Sequence, residues 1–305
     1  MAFSELIALY LFLGGTAAGA FAVMAALDLH ASVALSRHVH PLSAHRGDIP
    51  SQAFAHHVSK LVYAVSFFML LTGLLCLLAD LGKPQAFYFL FLYPTASFMS
   101  VGSFALALLS ICMAVVFAFA WLDLGGFWEK AAGVARVAGI VLSAVVMLYT
   151  GMLLKTVISV PVWQSWWLPV LFLFSALSCG CAVVIAAGLL SAGFKGASTA
   201  LRRLAALDAA FIMLETVAIA AYALSVNSFQ VHGPLDALLI GDAAWLFWAG
   251  FVGCGIAAPL VIDVIALIRR RDHASGVVAM AATLVLIGGL ALRFALVGAG
   301  VSAAI

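Results

Sequence analysis

Long apolar stretches alternate with short polar connections along this chain, and it is the length of the stretches that carries the information. Eight runs stand out, near 5–28, 58–80, 98–122, 133–157, 167–192, 204–226, 244–268 and 276–298. A hydrocarbon core of about 30 Å is crossed by about 20 helical residues, and each run reaches that length. A segment in lipid must satisfy its backbone groups internally, so each run is read as a transmembrane helix. The expected class is an all-α integral membrane protein with eight spans. The first run has no basic residue ahead of it and is long enough to span, so it is expected to remain as the first helix and not to be removed as a leader.

Composition agrees: 66% of the 305 residues are hydrophobic and 9% are charged. Such a chain has lipid as its solvent, and its expected partners are lipid and protein, not nucleic acid. The basic residues then orient it. Arg37, Arg46 and Lys60, Lys130 and Arg136, Lys195, Arg202 and Arg203, and Arg269, Arg270 and Arg271 all fall at the connections after runs 1, 3, 5 and 7. Lys83, Lys155 and Arg293 lie toward the other side. By the excess of positive charge on cytoplasmic loops, both termini are expected on the outer side of a multi-pass protein of the cytoplasmic membrane.

None of the eight histidines falls inside a run, which argues against haem held between facing helices. Six of them, His30, His38, His40, His45, His56 and His57, crowd residues 29–57, expected to be a solvated loop. The five cysteines, Cys76, Cys112, Cys179, Cys181 and Cys254, lie in apolar runs without CxxC spacing and read as small buried hydrophobes. Neither a metal nor an iron–sulfur cluster is expected in this chain.

Candidate chemistry gathers at the outer ends. Tyr10 near the start of the first helix, Asp80 at the end of the second and Tyr149 at the end of the fourth are expected to converge on one apolar site. Gly151 beside Tyr149 is expected to leave room at the phenol. The aromatic stretch 87–93 is expected to form an interfacial platform. A site that exchanges protons with a bound group needs a hydrogen-bond donor and a titratable group with a route to water, here Tyr149 and Asp80.

Deeper charges form a second set. Burying an ionisable group in a bilayer costs at least ~2.5–3.5 kcal/mol, so Asp208, Glu215, Asp263 and Arg293 need a partner or a purpose. Asp208 and Glu215 are seven residues apart and share a helix face. Two readings are open: a proton relay, and a structural network that includes Arg293. In the first helix, Gly15 and Gly19 make a small-residue face for close packing.

Tyr10-Leu-Phe-Leu-Gly-Gly-Thr-Ala-Ala-Gly19, Asp80-Leu-Gly-Lys-Pro84, the Pro94 to Gly102 segment, Tyr149-Thr-Gly151, Pro161-Val-Trp163 and Leu292-Arg293-Phe294 together resemble the NrfD/PsrC family, the membrane subunits of polysulfide reductase-like complexes. The resemblance implies two four-helix bundles, here 1–157 and 158–305, without a cofactor of their own. It implies a quinone/quinol, menaquinone ahead of ubiquinone, close to the outer face and hydrogen-bonded by Tyr149. The family's helix-1 histidine is replaced by Tyr10. The implied partners are a ferredoxin-like [4Fe–4S] subunit and a molybdopterin oxidoreductase subunit on the outer face, so that the protein acts as the quinone-reactive subunit of a larger enzyme. A secondary transporter with helix breaks at Gly250, Gly253, Gly255, Gly288 and Gly289, and an anchor without quinone chemistry, are the alternatives.

Overall fold

A computed structural model describes residues 5–37, 49–80, 98–122, 126–191, 198–227, 236–241, 243–269 and 275–302. Every regular element among them is helical. The long helices are α1 (Glu5–Arg37), α2 (Ile49–Asp80), α3 (Phe98–Leu122), α4 (Phe127–Lys155), α5 (Trp167–Leu190) and α6 (Ser198–Asn227). A π-helix (Leu246–Ala257) then runs directly into α7 (Ala258–Arg269), and α8 (Ser275–Ser302) ends the described residues. Seven of these helices, α1 to α6 and α8, are long and apolar enough to cross a membrane. The run expected as the seventh span is the one that changes helix type.

Several helices outlast the runs that announced them. α1 continues through Arg37 and α2 begins at Ile49, so much of the expected 29–57 loop is helical. His30, His56 and His57 sit on these extensions with exposed side chains, while His38, His40 and His45 lie outside the described residues. Pro50, near the start of α2, has no N–H to leave unpaired there, and its fixed φ suits a first turn. α4 starts at Phe127, with Glu129 in its first turn, where a carboxylate complements the helix dipole.

The change of helix type has a local cause. The Ala258 N–H bonds back to the Gly253 carbonyl, a five-residue step, and Pro259 follows with no N–H to continue that pattern. Of the glycines considered as breaks, Gly250, Gly255, Gly288 and Gly289 meet neighbouring helices. A Cβ at Gly288 would stand 2.1 Å from the Gly255 Cα, and one at Gly250 would stand 2.5 Å from the Ala291 Cβ, so the π-helix and α8 touch through their backbones.

α1 is the hub, packed against α2, α4, α5 and α8, and α5 packs against α1, α4, α6 and α8. α1 and α5 are also the spans with most of their surface buried, and α6 has the least. The small-residue face of α1 makes this crossing possible: a Cβ at Gly19 would lie 2.1 Å from the Ala176 carbonyl oxygen, and one at Gly180 would lie 2.3 Å from the Gly19 carbonyl carbon. α1 and α2 run antiparallel, with Gly14 beside Gly73 toward one end and Asp28 beside Tyr63 toward the other.

The α4–α5 connection is pinned by polar bonds. The Trp163 Nε1–H donates to the Leu296 carbonyl at 2.9 Å, and the Tyr222 hydroxyl donates to the Val162 carbonyl at 2.7 Å. Gly300 leaves space for the indole. Tyr222→Phe strands the Val162 carbonyl in an apolar setting and is expected to cost about 1–3 kcal/mol. A thermal unfolding midpoint in detergent equal to wild type would show that this bond contributes nothing.

Candidate functional site

The start of α1, the end of α2, the end of α4 and the start of α5 come together at one end of the molecule. Tyr10 is wholly buried there, and its ring lies beside Gly14 and beside Gly73 of α2. Tyr149 is 7% exposed and lies near the end of α4, a helix packed against α1. Its ring fills a seat in α3: a Cβ at Gly102 would stand 2.0 Å from the Tyr149 Cε2. Among the described residues no group bonds to the buried Tyr10 hydroxyl.

The other two expected members sit differently. Asp80 ends α2 seven residues beyond Gly73, about 10 Å further along the helix, and is half-buried. Gly151 points nearly opposite to Tyr149 around α4, since two residues turn a helix by about 200°. The room it leaves is taken by α5, because a Cβ there would stand 2.5 Å from the Pro169 Cα. Clearance at the Tyr149 ring comes from Gly102, and room beside Tyr10 from Gly73. The sequence signal for both was a glycine inside a strongly apolar run. Lys83 and the aromatic stretch 87–93 lie outside the described residues.

The deeper charges form two rungs between α5 and α6. The Ser178 hydroxyl donates to the Asp208 carboxylate at 2.6 Å. One turn along α5, Ser175 lies close to Glu215 of α6. Arg293 of α8 meets the second rung: its Nη1 donates to the Ser175 hydroxyl and, at 3.0 Å, to the Gly289 carbonyl. The guanidinium lies over the Phe172 ring at 5.0 Å, while its Nε and Nη2 have no partner among the described residues. Asp208, Glu215 and Arg293 are 6%, 4% and 0% exposed, so these charges sit inside the protein, away from lipid. Asp263 lies on α7, with its side chain outside the described residues.

A third cluster went unread in the sequence. At the other end from Tyr10, the Tyr63 hydroxyl donates to Asp28 at 2.6 Å, and the Arg136 Nε lies 3.9 Å from the same carboxylate. The guanidinium also faces the rings of Tyr63 at 6.0 Å and Phe119 at 5.6 Å. The signal was a carboxylate closing one apolar run and an arginine near the start of another. This cluster joins α1, α2 and α4 where the basic connections begin.

Among the described residues no group of three His, Cys, Asp or Glu side chains is placed to hold a metal ion. The five cysteines are free thiols.

A family model described as polysulphide reductase, NrfD, matches residues 1–303. A polysulfide reductase polypeptide of Wolinella succinogenes is 34% identical over 247 residues, covering 75% of this protein and 77% of that one. Protein NrfD of Escherichia coli is 27% identical over 252 residues, covering 75% and 78%. A selenate reductase subunit of Mesobacillus selenatarsenatis is 26% identical over 261 residues, covering 70% of this protein and 59% of its own length.

Proposed function

This chain belongs to the NrfD family, and on that premise we propose that it is the quinone-reactive membrane subunit of a respiratory reductase complex. It exchanges electrons between the quinone pool, menaquinone ahead of ubiquinone, and an iron–sulfur partner on the outer face of the cytoplasmic membrane. That partner is linked to a molybdopterin-type catalytic subunit. Relatives named as subunits of polysulfide and selenate reductases support a reductase complex around this protein. In this reading the protein forms eight spans in two four-helix bundles, α1 to α4 and α5 to α8, with both termini outward.

The observation that carries the reading is the Tyr10 hydroxyl, on a residue that is wholly buried beside Gly73 of α2, and without a partner among the described residues. An orphaned hydroxyl in an apolar setting is costly, and a bound carbonyl oxygen relieves it. A bound quinone supplies a two-electron, two-proton couple. Tyr149 donates a hydrogen bond to one carbonyl oxygen, and Tyr10 takes the position that a histidine holds elsewhere in the family. Gly102 fixes the Tyr149 ring, and Asp80 at the rim exchanges protons with water. The carboxylates Asp208, Glu215 and Asp263, with Arg293, serve proton movement linked to that chemistry. Gly151 contributes by letting α5 close over the α4 end of the site.

The test is made on the complex purified gently in detergent, by following reduction of its clusters with a quinol analogue. Tyr149→Phe is expected to slow reduction about 10–100-fold, the loss of one donor hydrogen bond. Gly102→Ala keeps the phenol but displaces its ring, and is expected to lower the rate in the same direction. Clusters that ignore quinol and quinone would leave an anchor, and the absence of any redox partner would favour a transporter.

A further inference from the structure

The basic residues are shared unevenly among the connections. Six of the 14 lysines and arginines are Lys195, Arg202, Arg203, Arg269, Arg270 and Arg271, and Asp272 is the one carboxylate in the stretches 191–203 and 269–275. In the first half, Arg37, Arg46 and Lys60 stand with Asp28 and Asp48, and Lys130 and Arg136 with Asp123 and Glu129. Those five cations already supply the bias that orients a membrane protein, so the cluster of the second half has a counter-charge to find. It belongs to one end of the molecule. α6 starts at Ser198 with Arg202 and Arg203 in its second turn, and α7, packed against α6, ends at Arg269.

Arg203 is exposed and heads a stripe of exposed apolar residues on α6, where Leu207, Ala210, Leu214 and Val217 follow at steps of three and four. On α7, Val261 and Ile265 are exposed four residues apart, and Arg269 comes four further on. The carboxylates of these helices lie off the stripes: Asp208 is buried against Ser178, and Asp263 stands about 200° around α7 from Ile265. α6 is also the span with the least of its surface buried, so lipid is the neighbour of its outer face. Arg203 and Leu214 are separated by about 16 Å along the helix axis, the depth of one leaflet of a core of about 30 Å. Arginines above two apolar stripes, one leaflet deep, match the two ends of a phospholipid. A guanidinium binds phosphate oxygens as a fork, and clusters of Lys and Arg at the ends of membrane helices attract anionic headgroups. We propose that the basic end of α6 and α7 holds an anionic phospholipid, with its phosphate among Arg202, Arg203 and Arg269 and its acyl chains along the Leu207–Leu214 and Val261–Ile265 stripes. An acidic protein segment could meet the same cations, but the stripes beneath them lie below the water level and leave it no use for them. The site is independent of the proposed quinone chemistry.

The test uses the full chain purified in detergent and native mass spectrometry, with phosphatidylglycerol or phosphatidylcholine of the same acyl chains added. Wild type is expected to hold phosphatidylglycerol about 100-fold more tightly, about fivefold for each of the three arginines, and to lose the preference as ammonium acetate is raised. Arg202→Gln combined with Arg203→Gln is expected to weaken phosphatidylglycerol binding about 25-fold. Lys130→Gln, on another connection, is expected to leave it unchanged. Removing positive charge also bears on insertion, so the pair is repeated as Arg202→Lys with Arg203→Lys, which keeps the charge and is expected to stay within about threefold of wild type. Where the glutamine pair does not insert, the comparison of the two lipids on wild type decides alone. Equal affinity of wild type for the two lipids overturns the proposal, and so does a preference that survives the glutamine pair. Displacement of the lipid by millimolar inorganic phosphate would leave a bare anion site and overturn the lipid as occupant. An acidic protein that copurifies with wild type and is lost with the glutamine pair, in place of any lipid preference, would overturn it as well.

Discussion

Gly180→Val is expected to deprive the protein of its folded, monodisperse state in detergent. A Cβ at this position would stand 2.3 Å from the Gly19 carbonyl carbon and 2.5 Å from the Ala20 nitrogen, and both are backbone atoms that no rotamer change can move. Relief requires α1 and α5 to separate, and these are the two most buried spans. Overpacking at side chains alone costs about 1–3 kcal/mol. Separating two backbones in contact adds the loss of the surrounding packing, against a total stability of about 5–15 kcal/mol for ordinary domains. The control is on the same helix: a Cβ at Gly188 meets nothing within 4 Å, so Gly188→Val is expected to elute and unfold as wild type does. If both variants behave alike in size-exclusion and thermal unfolding, the α1–α5 crossing is not the closure described.

Arg293→Met is expected to be the next most damaging change, at about 3–5 kcal/mol, because removing one partner of a buried charged group leaves the other uncompensated. Met keeps much of the volume over Phe172 but takes the donor from Ser175, which also lies close to Glu215. Glu215→Gln in the same protein removes the stranded charge. The double variant is therefore expected to recover part of the loss, with a coupling of about 0.5–3 kcal/mol across the cycle. A cycle that closes at zero would mean that Arg293 and Glu215 do not interact. The same measurement separates the two readings of these charges: a purely structural network loses stability on Glu215→Gln alone, whereas a proton path loses proton exchange with little change in midpoint.

How legible the protein was in its sequence follows from which physics each feature obeys. Span length is fixed by bilayer thickness, so the apolar runs located the helices closely: α3 spans the same residues as its run, and α5 shares its start. Where helices enter water that rule stops, so the extensions of α1 and α2 through His30 and His56 had no hydropathy signal. Helix type along the seventh run was equally hidden, because a π-helix and an α-helix present the same composition. Charges buried in the runs marked Asp208, Glu215 and Arg293 as residues needing partners, since lipid penalises them wherever they point. Their partners, Ser175 and Ser178, are ordinary serines of an apolar run and carried no mark.

At the candidate quinone site the sequence supplied Tyr10, Asp80 and Tyr149 and the end at which they lie, since alternating spans put the start of α1 beside the ends of α2 and α4. It did not supply their spacing. Only the tertiary structure put Tyr149 in the Gly102 seat and Tyr10 beside Gly73, turned Gly151 toward Pro169, and left Asp80 about 10 Å further along α2. The division has one cause. Lipid acts on each residue singly, so what must cross and what must be buried is written locally. Which buried groups touch depends on rotation and depth of helices far apart in sequence, and these are settled at backbone contacts such as Gly19 on Gly180 that no single segment encodes.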